Sequence, residues 1–200
     1  MAINLSSLSR PTAARPMIST LFSEGGMGKT TLAAMFPKPV FIRAEDGTAS
    51  LDGHPDAMLF PVAKSTADVF EAIEALAGGD HDRKTVVVDS ITQFEKLAIK
   101  EIIDSEPNPK CKNMAAAHGG YGKAFGMLDA RHQELREACD YLATDCGMNV
   151  VFIAHATTEE LELPMWTNTA AIQSSCTKTA NMIVFITTAT MLILLHLFAL

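Results

Sequence analysis

The sequence predicts a three-layer α/β domain with a mostly parallel sheet and helices on both faces. Three observations predict it. Short apolar runs rich in β-branched residues alternate with runs of helical spacing, the pattern of parallel strands buried on both sides. The 200 residues, 48% of them hydrophobic, suffice for one domain with a substantial core. A glycine-rich turn joins the first apolar run to the first helical run.

The elements follow in order. Residues 1–15 are Ser-, Thr-, Pro- and Ala-rich with two arginines and no apolar stretch, so they read as a flexible arm rather than a signal peptide. Residues 17–22 are an apolar run suited to a strand, and 32–36 read as helix. After Pro37, residues 39–44 suit a buried strand closed by Glu45-Asp46-Gly47. Residues 57–62 suit another strand. Ser65 and Asp68 then have the spacing of a capping box, and Val69, Phe70, Ile73, Leu76 and Ala77 recur at helical spacing up to Gly78-Gly79. Thr85-Val86-Val87-Val88-Asp89 is a buried strand ending in an acid. Ile91, Phe94, Leu97, Ala98 and Ile102 place a helix directly after it. Residues 105–120, with two prolines, Lys110 and Lys112, read as a surface loop. Phe125, Leu128, Leu135, Ala138 and Leu142 mark a long amphipathic helix, and 149–155 form a further strand.

Composition excludes some functions. The formal net charge is −7, so no global basic field draws in nucleic acid, and DNA contact requires a local basic patch or an oligomeric groove. The four cysteines, Cys111, Cys139, Cys146 and Cys176, include no C-x-x-C pair and read as reduced thiols.

The chemistry is concentrated in Ser23-Glu24-Gly25-Gly26-Met27-Gly28-Lys29-Thr30-Thr31. Strand, glycine-rich loop, Gly-Lys-Thr and helix form the layout of a P-loop. Glu24 to Thr31, meaning Glu24, Gly25, Gly26, Met27, Gly28, Lys29, Thr30 and Thr31, would cradle a nucleotide. Loop N–H groups and the helix N-terminus face the phosphates, and Lys29 reaches the β- and γ-oxygens. Thr30 offers a hydroxyl to Mg²⁺. Ser23 replaces the motif's usual first glycine. Asp89, ending a hydrophobic strand, suits a Walker B metal ligand, or is an ordinary acid at a strand end. Glu45 lies where open α/β sheets hold ligands, so it suits a water-activating base, or it sits on a solvated loop. His155 ends a third strand, as a γ-phosphate sensor or as a histidine satisfied by backbone groups. Gly119-Gly120-Tyr121-Gly122-Lys123 carries Lys123 toward a neighbouring subunit or DNA, or simply starts a helix.

In this order, the P-loop, the Phe36-Pro37-Lys38-Pro39-Val40 run, Glu45-Asp46-Gly47-Thr48, the strand ending in Asp89, the Gly119–Lys123 run and the strand ending in His155 resemble the phage nucleotide-binding proteins of the RecA-like P-loop ATPase class. The likeness covers about residues 16–164. It implies a RecA-like core, ATP and Mg²⁺ as ligands, and a cytoplasmic role in phage or prophage DNA recombination or single-strand annealing. Single-stranded DNA, further copies of the chain and phage recombination proteins are the implied partners. It assigns Lys29 and Thr30 to phosphate and metal, Asp89 to Walker B, Glu45 to the activating glutamate, and His155 to the sensor position. A small-molecule or nucleotide kinase is the alternative, though no arginine-rich lid is visible.

Residues 165–200 depart from this pattern. Between 163 and 200 the only charged residue is Lys178. Residues 182–200 are long and apolar enough for a membrane anchor, but Thr187, Thr188 and Thr190 interrupt them and no Lys/Arg cluster flanks them. Shifting the frame by one base after the Pro164 codon permits a polar ending of the kind expected in similar proteins. The expectation is therefore an arm (1–15), an ATPase core (16–164) and a tail (165–200) that is a frameshift product, with a membrane-tethered module as its rival.

Overall fold

The computed structural model describes residues 16–46, 51–108, 110–156 and the backbone of 184–187. The arm, Gly47-Thr48, Cys176 and most of the apolar tail lie outside the described residues.

The elements are β1 (Ile18–Ser23), α1 (Lys29–Ala34), β2 (Pro39–Arg43), β3 (Met58–Val62), α2 (Thr66–Gly78), β4 (Thr85–Asp89), α3 (Ile91–Asp104), a 3₁₀ turn at Ala117–Gly119, α4 (Lys123–Thr144), β5 (Asn149–His155) and β6 (Val184–Thr187). The strands form one sheet in the order β3-β2-β4-β5-β1-β6. The first five are parallel. β6 joins antiparallel, with Ser19 opposite Thr187 and Phe22 opposite Val184. The chain is thus an α/β protein with the P-loop NTPase arrangement of strands and helices.

Strand periodicity divides the core. Val40, Ile42, Val86, Val88, Val150 and Phe152 face α2, α3 and α4. Their alternate neighbours Phe41, Val87, Val151 and Ile153 face Leu21, Leu51 and α1. β1, β2, β4 and β5 are buried on both sides, which is why those runs read as continuously apolar, whereas β3 at the sheet edge stays largely open. Ser65 accepts from the Asp68 amide while Asp68 accepts from the Ser65 amide at 3.1 Å, so the capping box forms as its spacing predicts. A separate cluster, Ala98, Ile102, Ala117, Ala124 and Leu128, packs α3 against the start of α4.

Three sequence expectations are corrected. α1 spans only Lys29–Ala34, because Pro37 lies one turn beyond and bars continuation; so short a helix contributes little macrodipole. Phe125 is exposed rather than core, since Ala124 and Leu128 take the inward positions of that turn. Within the tail, 184–187 form a sheet strand, not part of a membrane helix over 182–200. Among the described residues no helix is long and apolar enough to cross a membrane.

Candidate active site

Four neighbouring strands deliver the candidate residues to one edge. In sheet order, Glu45 follows β2, Asp89 ends β4, His155 ends β5, and β1 runs into the glycine-rich loop. Parallel pairing sets Asp89 opposite Ile153 and Ser23 opposite His155, so these C-terminal ends lie level. The carboxyl edge of an open parallel sheet is where such folds hold ligands.

The loop's backbone explains its glycines. Gly26 and Gly28 have φ of 77° and 79°, which a side chain would oppose. Ser23 is still strand, so it needs no glycine conformation, and the missing first glycine of the motif is accommodated there. Lys29 is buried, and its Nζ donates to Ser23 O (2.8 Å), Glu24 O (2.8 Å) and Ser23 Oγ (3.2 Å). Burial lowers its pKa, while Asp89 and then Glu45 oppose that shift.

Thr30 Oγ1 donates to Asp89 Oδ2 at 2.9 Å. Burial raises the Asp89 pKa, and the Glu45 charge adds to this; the Thr30 hydrogen bond, His155 and Lys29 pull the other way. Beside it, His155 Nε2 lies 2.9 Å from Glu45 Oε1. Both side chains keep about a third or more of their surface open, 33% and 40%. The His155 amide donates to Thr92 Oγ1 at 3.0 Å, tying the end of β5 to the start of α3.

The structure therefore brings together Lys29, Thr30, Asp89, Glu45 and His155. The sequence marks Thr92 only by its place two residues after Ser90, in the first turn of α3. Gly119–Lys123 serves as the junction that starts α4, with Gly122 at its N-cap (φ 77°). A concavity of about 320 Å³ elsewhere, lined by Ile42, Phe60, Val62, Asp68 and Ala72, contains none of the P-loop groups. The site is marked by convergent polar groups, not by depth.

A protein-family model described as an AAA domain matches residues 15–190. The chain belongs to the AAA domain family. That match covers the whole described sheet and places the glycine-rich loop in a nucleotide-binding ATPase domain. No curated protein matches the chain. Magnesium, typical of such ATPases, fits the residues present: a hydroxyl and a carboxylate meet at 2.9 Å at the end of the phosphate loop, and hard oxygen donors are what this ion takes.

Proposed function

We propose that this AAA-domain protein is a Mg²⁺-dependent ATPase. The observation that carries the reading is the Thr30–Asp89 contact, which joins the two motifs that P-loop enzymes need at one point, with Glu45 alongside. Loop N–H groups and Lys29 bind and neutralise the phosphates. Thr30 and Asp89 would hold the ion, which when bound would supply charge compensation at the phosphate oxygens. Glu45 orients a water and takes its proton as the water oxygen attacks the γ-phosphorus; the bond to the bridging oxygen breaks, giving ADP and phosphate. His155 holds Oε1 of Glu45 and so positions that carboxylate.

The likeness to phage nucleotide-binding proteins supports a role in phage DNA recombination or annealing, with single-stranded DNA and further copies of the chain as partners. The near charge-free composition of 165–200 supports reading that stretch as the frameshifted ending of such a protein. Phosphate release with Mg²⁺, with and without single-stranded DNA, tests the function. DNA-stimulated hydrolysis is expected. Transfer of phosphate to a small-molecule acceptor instead of water would favour a kinase.

A further inference from the structure

The Glu45–Asp89–His155 cluster has a property that magnesium does not need: a histidine nitrogen. One ligand atom from each residue lies within 4.8 Å of the other two. Glu45 Oε1 and His155 Nε2 stand 2.9 Å apart, within about half an ångström of the ~3.3 Å between two ligands of a tetrahedral ion about 2.0–2.1 Å from each.

We propose that the nucleotide-free protein binds a transition-metal divalent cation of the zinc class through Glu45, Asp89 and His155. One imidazole with two carboxylates suits zinc, cobalt or manganese, whereas magnesium and calcium favour all-oxygen sets. The Thr30 hydroxyl bonds one oxygen of Asp89 and orients the carboxylate, and Thr92 fixes the His155 backbone. The Lys29 ammonium is turned onto the Ser23 and Glu24 carbonyls. The open surface of Glu45 and His155 provides the path of entry. Because Asp89 and Glu45 are shared, this ion and productive Mg²⁺–ATP exclude each other, and zinc acts as an inhibitor. Zinc binding itself does not rest on ATP hydrolysis.

Titration of the nucleotide-free full chain with Zn²⁺ tests this. One ion per chain is expected. Losing an outer-shell partner costs about 10–100-fold in metal affinity, so loss of a ligand in His155→Ala or Glu45→Gln should cost roughly 100-fold or more. Glu45 keeps 40% of its side-chain surface open and its glutamine variant keeps the shape, so that variant guards against misfolding of the His155 variant. Cobalt should give visible bands without a thiolate charge-transfer band, which excludes the cysteines. His81→Asn is the control, since that ring bonds Leu76 O instead, and should change nothing. Lys29→Ala should abolish ATP binding yet bind Zn²⁺ at least as tightly, separating this site from the nucleotide reading. Unchanged zinc affinity in both His155→Ala and Glu45→Gln, or a thiolate signature, would overturn the assignment.

Discussion

Thr30 Oγ1 and Asp89 Oδ2 are joined by a 2.9 Å hydrogen bond between residues 59 positions apart. It gives a buried carboxylate one of the few partners available at the sheet edge. Burying a charge is costly even when paired, so the bond offsets only part of that cost. Sites built to hold a ligand's charge carry such a deficit when the ligand is absent.

Asp89→Asn should therefore stabilise the nucleotide-free protein while impairing Mg²⁺-dependent ATP binding. The folded pKa of Asp89 is raised. Stability from such a group is fully present below its unfolded pKa and is lost as pH rises through the folded one. At neutral pH the variant escapes that loss, by about 1 kcal/mol or about 2–4 °C in Tm for a chain this size. Below the ordinary carboxylate range the gain should vanish. Thermal melts at both ends of that window check it; an equal gain at both would mean that charge is not the cause.

Lys29→Ala should remove nucleotide binding and leave the fold. Hydrogen bonds to a charged group contribute about 1.5–3 kcal/mol each, so ATP affinity should fall at least about 10–100-fold. The Lys29 bonds seen here go to Ser23, the last residue of β1, and to the Glu24 carbonyl of its own loop, and join no two elements of the core. Circular dichroism should be unchanged. Parent-like ATP affinity would remove the P-loop reading.

Glu45→Gln should separate binding from chemistry. The amide oxygen can still accept from His155, but the base is gone. ATP affinity should stay within about twofold while turnover falls about 10²–10⁴-fold. Turnover at the parent rate would show that another group activates the water.

Much of the site was legible in the sequence because its signals are local. Gly26 and Gly28 stand where positive φ is required, and Asp89 closes four buried residues in a row. Other features had no local signature. Thr92 matters through a bond 63 residues away, and β6 is a four-residue strand whose pairing with β1 is set by tertiary contact. Hydropathy alone read its segment as helix. The exposure of Phe125 followed from which residues α3 presents to α4, which periodicity within α4 cannot reveal.

Glu101 illustrates the same limit and gives a stability prediction. Its carboxylate accepts from the Thr66 amide (2.7 Å) and hydroxyl (2.6 Å), clamping α3 to the first turn of α2. Thr66 is buried. Glu101→Ala leaves two buried donors without this acceptor, at about 1–3 kcal/mol. Chemical denaturation should show that loss, and Glu101→Gln should recover part of it. An unchanged midpoint in the alanine variant would mean that water replaces the carboxylate.

β6 closes the edge of the strand that leads into the P-loop. Val184 to Thr187 pair with Phe22 to Ser19, where Ser19, Thr20 and Leu21 are buried. Truncation after Pro164 removes that cover and leaves an unpaired apolar strand edge, a template for association. The truncated chain should melt lower than the full chain and scatter light at lower concentration. A monomeric truncation with unchanged Tm would deny β6 any structural part. A gene with one base restored after codon 164 supplies the complementary arm. On the frameshift reading it replaces an apolar tail, with Lys178 its only charge, by a polar one, so its product should be more soluble than the present chain and bind ATP. Equal or poorer solubility would sink the frameshift reading and leave β6 as the tail's own contribution to the sheet.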